Sequence, residues 1–260
     1  MKKRIEDLLV LENIRLNEEF YVLRLHTDDP LSEILPGQFA EVRIDGSPDT
    51  FLRRPISIYD IDYASNDIFL LIKVAGEGTR KLADVKSHDL LNLIFPLGNS
   101  FSMPKGKNVL LIGGGTGVAP MLLLGRYLKE KYHVQPNFLL GFRSSGLIIE
   151  QEKFESTGKV YITTEDGSAG YRGIVTEHPV LGKDAPTFDM IYCCGPEAMM
   201  KAVAAYADKR KTSCEVSLEN LMGCGIGACL CCIVDTRDKG HVNTCTEGPV
   251  FNASRLKWQI

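Results

Sequence analysis

The chain has 260 residues, and Lys plus Arg at 30 against Asp plus Glu at 33 leaves a formal charge of −3. It is long enough for one or two units with a real core, and it has no basic excess to pair with a phosphate backbone, so no nucleic-acid partner is expected. Hydrophobic residues at 44% and charged residues at 24% sit near the globular average and exclude a largely disordered or fibrous chain. The uncharged run from Val109 to Gly125 is shorter than the roughly 20 apolar residues a bilayer demands and is dense in glycine, so no membrane span is expected. Met1-Lys2-Lys3-Arg4 has the charge of an export n-region, but Glu6, Asp7 and Glu12 interrupt any apolar segment behind it. A cytoplasmic, reducing setting is therefore expected, where the eight cysteines are poor disulfide candidates and metal binding or burial must account for them.

To about residue 100 the apolar residues alternate in short runs, as in Tyr21 to Leu25, Phe39 to Ile44 and Ile68 to Val74. These predict strands, punctuated by Pro36-Gly37, Asp45-Gly46-Ser47-Pro48 and Gly76-Glu77-Gly78, with one short helix near Thr79 to Val85. A small antiparallel barrel over 1–102 fits this pattern. From 103 to 211 the rhythm becomes strand, helix, strand. Val109 to Ile112, Phe138 to Leu140, Val160 to Thr163 and Met190 to Cys193 read as strands, with helices through Met121 to Lys131 and Glu197 to Lys209. That is a parallel α/β domain of at least four strands. Residues 212–260 form a tail rich in glycine and cysteine, too small to be stable without a staple. The fold class is thus a multidomain α+β chain: barrel, parallel α/β domain and small Cys-rich domain.

Cys224, Cys229, Cys232 and Cys245 are separated by four, two and twelve residues, the plant-type spacing for a two-iron, two-sulfur (2Fe-2S) cluster. Gly225 and Gly227 let the first loop wrap closely and aim backbone N–H groups at sulfur. A structural zinc site is the competing reading, but zinc modules usually pair two short cysteine knuckles and only one is present. Cys231 is read as a buried bystander and Cys214 as a small buried hydrophobe. His241 is placed in a hairpin turn, since a Rieske centre needs two histidines.

Gly113-Gly114-Gly115-Thr116-Gly117-Val118-Ala119-Pro120 follows a predicted strand and opens a helix, where bare N–H groups and the helix dipole receive a pyrophosphate. The run departs from the dinucleotide fingerprint: Val118 stands at the third glycine, and Asn137 where a ribose-binding acid is sought. Pro120 suits a first helical turn. Cys194-Gly195-Pro196 ends a strand at the carboxyl edge of the sheet, so Cys194 faces either a nicotinamide ring or simple strand-end packing. Arg143 leaves the choice between NAD and NADP open. In the barrel, Arg54-Pro55-Ile56-Ser57 and Gly78-Thr79 are groups that a phosphate or flavin edge uses, or that a scaffold strand and turn use.

In order along the chain, Pro36-Gly37-Gln38-Phe39, Arg54-Pro55-Ile56-Ser57, Gly78-Thr79, Gly113 to Pro120 and Cys194-Gly195-Pro196 resemble the ferredoxin reductase superfamily. Leu218-Glu219-Asn220, the four spaced cysteines and Cys245-Thr246-Glu247-Gly248-Pro249-Val250-Phe251 narrow the resemblance to electron-transfer subunits of NAD-dependent, type B dihydroorotate dehydrogenases, over essentially the whole chain. The resemblance implies FAD in the barrel, NAD on the α/β domain and a 2Fe-2S cluster in the tail. The implied partner is an FMN-containing catalytic subunit, two of each forming a heterotetramer that serves pyrimidine biosynthesis. It implies Arg54, Pro55, Ile56, Ser57, Leu71, Ile72 and Lys73 along the flavin, with Gly78 and Thr79 at its pyrophosphate. For NAD it implies Gly113, Gly114, Gly115, Thr116, Gly117, Pro120, Gly195 and Pro196, with Cys194 near the nicotinamide, and for iron it implies Cys224, Cys229, Cys232 and Cys245. The rival readings are a flavin and iron–sulfur NAD(P)H:ferredoxin-type reductase with another partner, and a zinc-stapled scaffold.

Overall fold

The computed structural model describes residues 3–46 and 50–258. Met1 and Lys2 of the basic start, and Ser47 and Pro48 of the turn expected at 45–48, lie outside the described residues.

The first six strands are β1 (Arg4–Arg15), β2 (Phe20–His26), β3 (Phe39–Val42), β4 (Arg54–Asp62), β5 (Asp67–Lys73) and β6 (Leu90–Leu97), with helix α1 (Glu77–Ala83) between β5 and β6. They close into an antiparallel barrel in the order β1-β2-β5-β4-β3-β6. The two-residue period explains which surface each side chain serves. Leu23, Leu25, Leu70, Ile72 and Leu93 fill the barrel. Phe20, Val22, Tyr59 and Leu71 instead point outward, into a core shared with the second unit. That second face adds apolar residues at outward positions of β2, β4 and β5 to the alternating set that fills the barrel.

The second unit comprises β7 (Val109–Gly114), α2 (Ala119–Tyr132), β8 (Asn137–Phe142), α3 (Gln151–Glu155), β9 (Lys159–Thr164), β10 (Tyr171–Arg172), β11 (Met190–Cys194), α4 (Glu197–Arg210) and β12 (Ser213–Ser217). Met121, Leu122 and Leu124 of α2 pack in the shared core with barrel residues Phe20, Val22, Tyr59 and Leu71. Arg126 on the same helix donates from Nη1 to Asp60 Oδ1 of the barrel at 2.6 Å. The two units are thereby held with the carboxyl ends of β7 and β11 facing the barrel wall.

The tail adds a hairpin, β13 (Ile233–Thr236) and β14 (Gly240–Asn243), then α5 (Thr244–Glu247) and β15 (Val250–Asn252). The central sheet has seven strands, β10-β9-β8-β7-β11-β12-β15, parallel except for β15, which runs antiparallel to β12. The chain therefore leaves the sheet at Ser217, builds the cysteine segment and returns to the sheet at Val250. Phe251, almost fully buried, inserts into the core beside Ile112 and Val216.

One side chain ties the returning segment to the barrel. Asn99, just after β6, donates from Nδ2 to the carbonyls of Glu247 (2.9 Å) and Val250 (2.8 Å), and its Oδ1 accepts from Val250 N–H at 2.9 Å. Its own N–H reaches the Gly248 carbonyl at 2.6 Å. At about 1 kcal/mol net per hydrogen bond, Asn99→Ala should cost about 2–3 kcal/mol. Amide exchange should accelerate at 244–252 while the barrel strands keep their protection, a pattern readable by hydrogen-exchange mass spectrometry.

Candidate functional site

The strand order turns back on either side of β7: β8 and β9 lie to one side, β11 and β12 to the other. A crevice at the carboxyl ends of β7 and β11 is where such sheets bind ligands. Two cavities open there, separated by the glycine loop.

The first, of about 690 Å³, lies between barrel and sheet. The barrel contributes Phe39, Pro55, Ile56, Ser57, Leu71, Ile72, Lys73 and Thr79, and the sheet edge Thr116, Cys194 and Ser217, while Leu218 to Met222 and Pro249 close it from the tail. Seven of the nine expected flavin residues thus meet on one wall. Arg54 and Gly78 stand just outside it and touch each other. A Cβ on Gly78 would lie 2.9 Å from Arg54 Nε, so the guanidinium lies directly over that turn. Thr79 Oγ1 accepts from the N–H groups of Ala75 (2.9 Å) and Gly76 (3.1 Å), and so shapes the turn while it lines the cavity.

The opposite wall is uncharged or acidic. Burial pushes the Cys194 thiol far up, with nearby Glu219 acting the same way, and only Ser217 and the Gly195 N–H oppose it. Cys194 therefore stays protonated and is a soft packing surface, not a nucleophile. Burial also raises Glu219, against a hydrogen bond from Thr116 and the charge of Lys73. The residues can bind and orient a flat ring system and exclude water from it; nothing on this wall attacks a substrate.

The second cavity, of about 420 Å³, runs from Gly114, Gly115 and Pro196 out to Phe142, Arg143, Thr163 and Glu165. Gly115 has φ +55 and open space where a Cβ would stand, so its bare backbone faces the cavity as pyrophosphate binding requires. Gly113, Gly117, Pro120 and Gly195 line neither cavity. Gly117 is instead forced by packing, because its Cβ would collide with the Cys194 carbonyl. Lys73 lines both cavities and pairs with Glu19 at 3.1 Å. Glu19 also pairs with Arg143, so the barrel and the sheet meet over the outer end of this cavity.

Cysteine positions in the tail fit an iron–sulfur group. Cys224 Sγ accepts from the N–H groups of Ile226 (3.5 Å), Ala228 (3.3 Å) and Cys229 (3.4 Å), and Cys232 Sγ accepts from Cys245 N–H at 3.4 Å. Burial pushes the Cys224 thiol up, but these amides outweigh it and bring it down to about 6. Amide-hydrogen-bonded thiolate is the ligand form such a cluster needs. Gly225 and Gly227 have φ +67 and +86, conformations that favour glycine and turn the loop's amides onto sulfur.

The expectations for Cys231, Asn137 and His241 are corrected. Cys231 is exposed, not buried, because β13 begins two residues later and the loop turns it outward. Asn137 lies at the start of β8, where its Nδ2 donates to the Val109 carbonyl at 3.2 Å, so it is at the wrong end of the strand for a ribose. The acids that line the cavity are Glu165, just past β9, and Glu19 of the barrel. Cys214 is buried as expected, and His241 is exposed on strand β14, opposite Asp235, rather than in the hairpin's turn.

Sequence reasoning missed Glu219 as a wall residue, although a lone acid in Val216-Ser217-Leu218-Glu219-Asn220-Leu221-Met222 was a signal. It also missed Glu41, fully buried on β3 with neither carboxylate oxygen hydrogen-bonded among the described residues. Burial raises Glu41 to about 7, opposed by Arg53 and assisted by Cys224. Its Cγ would lie 2.5 Å from a Cβ on Gly225, so the barrel wall and the cysteine loop touch there.

Residues 219–257 match the iron–sulfur cluster binding domain of dihydroorotate dehydrogenase B, and residues 111–205 match the oxidoreductase NAD-binding domain. The chain is 39% identical over 251 residues to the dihydroorotate dehydrogenase B (NAD(+)) electron transfer subunit of Caldanaerobacter subterraneus subsp. tengcongensis, covering 95% of this chain and 96% of that one. To the protein of the same name from Listeria monocytogenes serotype 4a it is 38% identical, covering 96% and 98%. Among solved structures, a chain of an NADH-dependent reduced ferredoxin-NADP oxidoreductase, described for flavin-based electron bifurcation, superposes with a TM-score of 0.86 at 28% identity, covering 96% and 90%.

If the barrel wall holds the flavin as its residues suggest, Arg54→Ala removes a charge-assisted contact worth about 1.5–3 kcal/mol. FAD should then bind tenfold or more weakly, measured by fluorescence on reconstitution, with the far-ultraviolet circular dichroism unchanged.

Proposed function

The chain belongs to the family of dihydroorotate dehydrogenase B (NAD(+)) electron transfer subunits, and on that footing we propose that it carries electrons from the FMN of a dihydroorotate dehydrogenase catalytic subunit, by way of its 2Fe-2S cluster and FAD, to NAD+. The reaction it serves is the oxidative step of pyrimidine synthesis. In this reading 1–102 holds FAD, 103–211 NAD and 212–260 the cluster, and the catalytic subunit alone binds dihydroorotate. The observation that carries it is the packing of the cysteine segment against the cavity that both the barrel and the sheet edge line.

Flavin bound in that cavity supplies the conversion between a hydride, which moves two electrons, and an iron–sulfur centre, which moves one at a time. The chain's own residues do the rest. Pro55, Ile56 and Ser57 with Leu71 and Ile72 seat the ring from the barrel side, and Arg54 beside Gly78 meets its phosphates. Gly114, Gly115 and Pro196 would hold the dinucleotide, and Thr116 and Cys194 line the neighbouring cavity toward which its nicotinamide would reach. The protonated Cys194 packs on the ring and excludes water from the transfer.

The cluster cysteines differ in exposure in a way that suits a relay. Cys229 is exposed and Cys224 half-buried, while Cys232 and Cys245 are buried toward the barrel. Leu221, Ile226, Leu230 and Ile233 on the same segment are exposed apolar side chains, a surface suited to a protein partner. We assign it to the catalytic subunit, with two copies of each chain in the assembly, in the cytoplasm where thiolate ligands stay reduced. The superposition on the NADH-dependent ferredoxin-NADP oxidoreductase chain favours a second reading, a ferredoxin-type reductase with a different partner. Copurification with an FMN protein decides between them.

The purified chain should be red-brown, hold about two irons and one FAD, and bleach partly with NADH in a visible and electron paramagnetic resonance titration. Cys232→Ser should abolish the cluster signal while NADH still reduces FAD. Loss of that signal in Cys231→Ser instead would overturn the ligand assignment. Cys194→Ser should slow hydride exchange in stopped-flow absorbance without loss of bound flavin, and an unchanged rate would contradict its place at the nicotinamide.

A further inference from the structure

The inner pair of cluster cysteines does not face solvent or the partner surface. Cys232 and Cys245 are members of one small buried apolar cluster whose other members are Phe39, Leu97 and Met222, with Ile94 packed against it. Phe39 and Met222 are also the two members of that cluster that line the 690 Å³ cavity. They come from different parts of the chain: Phe39 starts strand β3 of the barrel, whereas Met222 lies in the tail two residues before Cys224. Their positions are fixed from several sides. The Phe39 ring abuts Gly98, where a Cβ would lie 2.9 Å from Phe39 Cε1. Cys245 is held to Cys232 through its N–H, and the Asn99 clasp holds the segment that follows.

We propose that Phe39 and Met222 form the electron bridge between the inner thiolates and the flavin, and that they are positioning residues for the one-electron step rather than generic core. The proposal rests on the reading of the first cavity as the flavin site. Each passage oxidises the cluster by one electron and reduces the flavin by one. Two passages, with one proton from solvent, make up the hydride that NAD+ accepts. Electron coupling decays more steeply across empty space than through packed atoms, and a large-to-small change in a close-packed interior leaves a gap that closes only in part. An aromatic ring and a polarizable thioether fill this layer without adding a polar group that would have to reorganise as charge passes.

The test uses the chain carrying both cluster and FAD, mixed with NADH, with flavin bleaching followed by stopped-flow absorbance and cluster reduction by freeze-quench electron paramagnetic resonance. In Met222→Ala the flavin should bleach at the wild-type rate, while the cluster signal should rise on the order of tenfold more slowly. Met222→Leu, which restores the volume, should recover most of the rate. Phe39→Leu carries the same expectation as Met222→Ala and decides the question should the alanine variant fail to hold iron. Unchanged cluster-reduction kinetics in a fully loaded variant would overturn the bridge. Absence of a cluster signal in the wild-type protein would instead overturn the functional reading on which the bridge depends.

Discussion

A segment that must present four thiolates and bare amides to an inorganic cluster has few apolar side chains left to fold itself, and this constraint governs the architecture. The cysteine tail solves it by borrowing. It hangs between two strands of the central sheet, β12 and β15, with Phe251 sunk into that sheet's core. The Asn99 side chain clamps the returning strand to the barrel. Without those anchors the loop from Gly223 to Cys232 would have neither a fixed position nor a fixed distance from the cavity.

The same anchoring produces an ordered arrangement of environments. Outward lie an exposed cysteine and scattered apolar side chains; inward lie two buried cysteines and then Phe39 and Met222, which line the cavity. Beyond the wall the glycine loop divides that cavity from the second one, with Thr116 on one side and Gly114 and Gly115 on the other. Electrons require short separations and little reorganisation, and dinucleotides require exposed backbone and room. The fold meets both needs by turning one loop's side chains and its backbone to different cavities.

Around the first cavity and the cysteine loop, electrostatics follows the balance of burial and hydrogen bonding. The Cys194 and Glu219 groups at the first cavity are pushed toward their neutral forms by burial, whereas the more open Cys224 is pulled toward thiolate by three amides. Glu41 sits between these regimes, walled in beside Gly225 and raised by its surroundings. The sheet-edge wall of the first cavity is thus biased toward neutral groups, whereas the cysteine loop favours a thiolate.

What the sequence determined by itself was everything carried by local spacing. The two-residue alternation specified the barrel strands, the strand–glycine–helix order marked the start of the NAD-binding domain, and the four-two-twelve cysteine interval marked the tail as the iron–sulfur domain, because each is a rule about neighbours. What only the tertiary structure decided was which surface each residue serves. Asn137 sits at the wrong end of its strand and Glu165 at the right one; Gly117 is needed for packing against Cys194 rather than for phosphate; Cys231 turns outward; and Phe39, Met222, Glu41 and Glu219, distant in sequence, converge around one cavity and one loop. Such convergence depends on how barrel, sheet and tail are pressed together, a long-range matter of shared cores that no interval along the chain records.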